Sequence, residues 1–141
     1  MDKKRYVGVV VKYKDEVLLC KRNNEGSFPG MWSIPAGKLE ENESTHECAV
    51  REFYEETALT ISEEKLKFVG LIPRHTRDGK KVKGLMYVYQ INVNNKLEPD
   101  FDKAKDGDEH SEWKYYKMKD IEMERTGTNL YKLLEIILGK N

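Results

Sequence analysis

At 141 residues the chain can close one hydrophobic core without disulfide or metal staples, and it is short for two ordinary domains, so a single domain over 1–141 is expected. Its 25 basic and 25 acidic residues cancel, which removes a global pull toward nucleic acid or an anionic membrane and leaves recognition to local charge clusters. Cys20 and Cys48 stand in no disulfide-like or zinc-like spacing, so they read as buried free thiols in a reducing compartment.

Taken in order, the start MDKKRYVGVVVKYKDE is basic, but its apolar run is too short for a secretory signal. No stretch reaches the length of a membrane span, and a cytoplasmic protein without a membrane partner is the expectation. Residues 5–13 and 16–22 are β-branched and apolar runs around Lys14-Asp15, a hairpin. Residues 23–31 are rich in turn formers; a short strand Trp32–Ile34 and a Pro35-Ala36-Gly37 turn follow. A helix is expected after Ser44. Strands at 66–73 and 82–93 flank a basic loop holding Arg74, Arg77, Lys80, Lys81 and Lys83. A long polar loop (94–110) leads to a strand at 111–117, and Thr128 is placed to cap a terminal helix Asn129–Leu138. Two helices covering a mixed sheet make an α/β sandwich.

The helix after Ser44 is the most specific segment. Ser44 and Glu47 fit a capping box. Ala49, Val50, Phe53 and Thr57 form its packing stripe. Because a helix advances about 100° per residue, Glu52, Glu55 and Glu56 fall within an arc of roughly 100°. Arg51 lies one turn from Glu47 and from Glu55, where its fork of donors can hold a carboxylate. Three carboxylates so close repel one another without a cation, and oxygen-only ligands suit Mg²⁺ or Mn²⁺. A solvated acidic face on an ordinary amphipathic helix is the alternative that charge alone leaves open.

The wider spacing reads Gly37, five residues, Glu43, seven residues, then Arg51-Glu52-Phe53-Tyr54-Glu55-Glu56-Thr57-Ala58-Leu59. It resembles the signature box of the Nudix (MutT-like) hydrolases, with one departure: Ala58 stands where that family usually has glycine. A left-handed helix end there costs alanine about 1 kcal/mol. The lead-in from Val17 through Arg22 and Gly30 through Lys38, and the late stretch Glu109 to Tyr116, are similar to the same family, so the resemblance spans roughly residues 6–121.

That resemblance implies a Nudix-type α/β/α sandwich and Mg²⁺-dependent hydrolysis of a phosphoric anhydride, with Mn²⁺ as the substitute ion. Glu52, Glu55 and Glu56 become metal ligands, the Gly37 carbonyl a further one, and Arg51 their organiser. The general base is Glu52 acting through a water, or Glu112 from the late strand. Arg22, Phe28, Trp32, Arg74 and Arg77 are the expected substrate contacts, with core packing an equal alternative for Trp32. Glu109 stays open as an extra ligand. The loop Asp102–Asp108 has the look of a calcium loop but fails at its ligand positions.

For substrate, Pro35-Ala36-Gly37 and Pro73 resemble the ADP-ribose branch of the family, whereas Gly30-Met31-Trp32 resembles the nucleoside-triphosphate-sanitising branch. The reading leans to a nucleoside diphosphate linked to another group. Triphosphate hydrolysis, trimming of an RNA 5′ end (the sole nucleic-acid partner considered), and a non-catalytic nucleotide-binding module are the alternatives; an isoprenoid-diphosphate isomerase on the same fold would need a cysteine context that neither Cys20 nor Cys48 offers. A homodimer is in keeping with the resemblance.

Overall fold

The computed structural model describes residues 4–23, 28–76, 78 and 80–139. Its strands are β1 (Lys4–Tyr13), β2 (Glu16–Arg22), β3 (Trp32–Ser33), β4 (Ala36–Lys38), β5 (Lys67–His75), β6 (Val82–Val93) and β7 (His110–Lys117); its helices are α1 (Thr45–Thr57), α2 (Met123–Thr126) and α3 (Thr128–Leu138). Five strands run in the order β3-β2-β1-β6-β5, with β4 paired to β1 and β7 to β2. β1 and β6 are parallel and every other pair is antiparallel. The sheet is therefore mixed, as expected.

β1 is the spine. β6 pairs along its whole length, while β4 (through Val7↔Gly37) and β2 (through Lys12↔Val17) share its other edge. A strand enclosed on both edges and both faces must be apolar throughout, which explains the uninterrupted valines of residues 9–11. Side chains alternate. Val7, Val9 and Val11 meet Cys48, Ala49 and Phe53 of α1 on one face, while Val10 belongs with Leu130, Leu133 and Leu134 of α3 on the other. Helix, sheet and helix form the α/β/α sandwich.

Three local readings change. The Pro35-Ala36-Gly37 turn continues into β4, because Gly37 and Ala36 pair with β1. Thr128 is not a cap but the first residue of α3. Gly127 closes α2 through its N–H to Met123 O (2.7 Å) and opens α3 through its carbonyl, which accepts from the Tyr131 N–H (2.9 Å). That double duty uses φ 92°, a backbone that only glycine adopts freely. The four-residue α2 that results is too short to leave a periodic signal.

At the other helix end, Ala58 adopts φ 64°, ψ 16° and donates its N–H to Tyr54 O at 2.8 Å. The left-handed cap thus forms in spite of the missing glycine. Ala58→Gly should therefore raise stability by about 1 kcal/mol, read as a higher urea midpoint at unchanged slope; a lower midpoint would mean the alanine methyl is packed usefully.

Candidate active site

Ser44 starts α1 as expected: its hydroxyl accepts from the Glu47 N–H (3.0 Å) and the Glu47 carboxylate accepts from the Ser44 N–H (2.8 Å). Glu47 is thereby committed to the cap, and Arg51 turns elsewhere. Its Nε and Nη2 fork onto Glu43 at 2.6 and 3.0 Å. Nη1 donates to Glu52 at 2.9 Å and to Glu55 at 3.0 Å, and Nη2 also reaches the Lys38 carbonyl at 3.0 Å. Glu43 precedes the helix, so helical spacing could not show this pairing. The fork pulls the Glu43 carboxyl below the ordinary range, and the same carboxylates hold the Arg51 charge still more firmly.

The remaining acids are less well neutralised. A Cβ on Gly37 would fall 1.9 Å from the Glu52 carboxyl carbon, so only glycine in β4 leaves room for that side chain. Burial raises Glu52 above the usual carboxylate range against the pull of Arg51, with Glu55 and Asp106 adding repulsion. Glu56 is 3% exposed. Its Oε1 accepts from the Ala36 N–H at 3.2 Å, yet burial first, then Glu109 and Glu52, push it well above the ordinary range. Cys48 lies among the same acids, and burial with Glu43 pushes its thiol up to about 12. Its Sγ donates to the Lys38 carbonyl at 3.6 Å while the side chain packs in the core beneath α1.

Glu109 reaches Glu56 because the long polar loop docks on the end of α1. The Asp106 N–H donates to Glu55 O (2.7 Å) and the Asp100 N–H to Thr57 O (2.9 Å), filling carbonyls that the helix end leaves unpaired. Tyr115 Oη fastens the loop's start, donating to Leu97 O and accepting from its N–H, both at 2.8 Å. Asn23 holds the far end through its N–H to Glu109 O (3.0 Å) and its amide to Asp108 O. Partial desolvation, with Asp106 and Asp108, lifts Glu109 above the usual range while Arg22 opposes. Beside it His110 is buried, and burial with the nearby Arg22 lowers its imidazole to about 4, so the ring is neutral at pH 7.

The other expected residues divide. Arg22, Phe28, Trp32 and Arg74 line one cleft of about 200 Å³, together with Met31, Ile34, Ile72, Met86 and the residues that start α3. Arg74 lies over the Tyr6 ring (4.5 Å) and is close enough to Arg22, Glu56 and Glu109 to feel all three. Phe28 is held at φ 50°, a costly backbone for a bulky residue at the cleft wall. Trp32 meets Tyr116 edge-on at 5.2 Å, so it both packs and lines the cleft. Arg77 lies outside the described residues.

Glu112 is not brought to the cluster. Strand alternation turns Trp113 and Tyr115 toward α1, leaving Glu112 exposed on the opposite side, 3.5 Å from Lys21 Nζ. Glu109 occupies the position against Glu56. Its signal in the sequence was only an acid ahead of a strand, because the loop docking that places it is tertiary.

An oxygen-only donor set whose carboxyls are pushed upward fits a hard divalent cation. In the present rotamers no three His, Cys, Asp or Glu side chains among the described residues enclose an ion. Arg51 sits between Glu52 and Glu55 and draws both toward itself.

The NUDIX domain family model matches residues 2–135. The 8-oxo-dGTP diphosphatase of Proteus vulgaris is 32% identical over 66 residues, a match covering 45% of this chain and 59% of that protein. The crystal structure of a MutT NUDIX hydrolase from Burkholderia pseudomallei superposes with a TM-score of 0.77 at 18% identity, covering 96% of this chain and 98% of that one. The NUDIX domain of Shewanella oneidensis NrtR, crystallised with ADP ribose, gives 0.70 at 17%, covering 98% and 90%. At those identities the structures speak for the fold alone. The family match, by contrast, runs unbroken from the first strand into the last helix, and this chain belongs to the NUDIX family.

Proposed function

We propose that the chain is a Mg²⁺-dependent pyrophosphohydrolase, with Mn²⁺ able to substitute. It opens the anhydride of a nucleoside diphosphate linked to a second group, an ADP-ribose-like substrate, giving a nucleoside monophosphate and a phosphorylated product. The observation that carries this reading is the junction of two environments. Glu56 of α1 and Glu109 of the docked loop lie close to Arg74, Glu56 also feels Arg22, and both arginines line an apolar cleft that contains Trp32 and Phe28. At about 200 Å³ the cleft is smaller than the roughly 300–1,000 Å³ that swallows a drug-sized ligand. One base or ribose enters it and the diphosphate runs outward over the two arginines.

In this reading Glu52, Glu55 and Glu56 hold the cation with the Gly37 carbonyl, Glu109 adds a ligand from the docked loop, and Arg51 keeps the acids in register. The bound ion supplies charge neutralisation and a more acidic water. Glu52, with Oε2 free of Arg51, takes the proton of the attacking water. The water oxygen bonds to phosphorus as the bridging P–O bond breaks, and the departing phosphate leaves with its electron pair. Arg22 and Arg74 fix the two phosphates, and the ring of Trp32 or Phe28 takes the base. A nucleoside-triphosphate-sanitising activity is the second reading, favoured by the Proteus vulgaris relative. The partner is a small nucleotide, and homodimerisation is an expectation of the family resemblance. No helix among the described residues is long and apolar enough to cross a membrane; two buried free thiols, Cys20 and Cys48, favour the cytoplasm.

A panel of ADP-ribose, dinucleotides, (d)NTPs and 5′-triphosphorylated RNA, run with Mg²⁺, separates these readings by product. AMP with ribose 5-phosphate is expected; release of diphosphate from a dNTP alone favours the second reading. Glu56→Gln should lower turnover by more than the roughly 10–100-fold that loss of an outer-shell partner costs, while far-UV circular dichroism stays unchanged. Equal rates for the two proteins would remove the metal role of Glu56.

A pH dependence follows from the raised carboxyls of Glu52 and Glu56. Protons held above the ordinary carboxylate range compete with the cation, so Mg²⁺ affinity should climb as pH rises through their folded-state values, with proton release. Calorimetric titration in buffers of different ionisation heat measures that release; a pH-independent affinity without it would contradict the assignment.

A further inference from the structure

His110 is a buried polar side chain that the proposed reaction does not use. Both ring nitrogens lack a hydrogen-bond partner among the described residues, although its ring stacks on Phe101 at 5.5 Å and 28°. A buried polar group left unpaired is destabilising, and phenylalanine would fill the same stack without that cost. A histidine here therefore calls for a chemical use of its nitrogens. The nearest ionic neighbour is close: Nε2 lies 4.0 Å from Glu56 Oε1, the oxygen that already accepts from the Ala36 N–H at 3.2 Å. A hydrogen bond needs about 2.9 Å, so roughly 1 Å of movement completes it.

We propose that His110 is a positioning residue for Glu56: its Nε2–H donates to Glu56 Oε1 alongside the Ala36 amide, leaving Oε2 directed at the divalent cation. The inference rests on Glu56 being a metal ligand. Donors on a ligating carboxylate fix its orientation, and losing one typically weakens metal binding by about 10–100-fold. The docked loop gives this contact a structural support. His110 follows Glu109 directly, and the backbone that ties Glu109 to Asn23 and Asp106 fixes both residues against Glu56. A merely structural histidine would contribute to stability but not to ion affinity.

The test measures Mn²⁺ binding to substrate-free protein by loss of the free-ion paramagnetic resonance signal, with thermal midpoints recorded beside it. His110→Phe keeps the aromatic stack and removes the donor; His110→Gln keeps an amide in place of Nε2–H. Expected are an affinity about 10–100-fold weaker for H110F at an unchanged or higher midpoint, and an H110Q affinity within about threefold of wild type. Wild-type affinity in a folded H110F protein overturns the positioning role alone, whereas a wild type that binds no Mn²⁺ overturns the metal reading beneath it. Should H110F fail to fold, ¹⁵N spectra of the wild-type imidazole decide. The Nε2–H tautomer in the Mg²⁺-loaded protein supports the contact, and the Nδ1–H tautomer overturns it.

Discussion

The site depends on one side chain holding several like charges together. Arg51 contacts Glu43, Glu52 and Glu55 within 3.0 Å and Glu40 at 3.7 Å. Without a planar cation that can serve several carboxylates in different directions, repulsion would spread these acids into solvent. The fork does more than neutralise. It bonds both oxygens of Glu43 and of Glu55 but only one of Glu52, and Glu56 takes its bond from the Ala36 amide instead. Burial makes Glu56 the acid of α1 whose charged form is hardest to hold, and Arg22 and Arg74 lie close to it.

A second constraint comes from the end of the same helix. Carbonyls of Glu55 and Thr57 need donors, and the loop between β6 and β7 provides them through Asp106 and Asp100. Meeting a backbone requirement thereby carries Glu109 and His110 to Glu56. One local need, capping a helix, completes a distant functional arrangement. It also explains why a long loop without strands keeps a fixed course: its amides are anchored at α1 and Tyr115, and its carbonyls at Asn23.

Much of this was legible in the residues. The bounds of β1, β2 and β6 followed from their apolar runs, and the capping box of Ser44 and Glu47 formed as its spacing required. The gathering of Glu52, Glu55 and Glu56 on one arc was a matter of helix geometry. What could not be read was whatever joins distant segments. The pairing of Arg51 with Glu43 lies outside helical periodicity. Glu109 replaces Glu112 beside Glu56 because strand alternation and loop docking are settled by packing. Gly127, serving two helices at once, hid α2 and displaced the cap assigned to Thr128. Sequence pattern reports the surroundings of one element well, and contacts between elements only where a spacing is as specific as that from Gly37 to Glu56.

Paramagnetic broadening by Mn²⁺ in ¹⁵N-labelled protein is the most direct examination of the idea that a single face of α1 gathers a hard ion where phosphate can approach. Substoichiometric ion should first erase the amide signals of residues 36–37, 52–56 and 107–110. Broadening scattered evenly over surface acids, or absent from α1, would contradict the account.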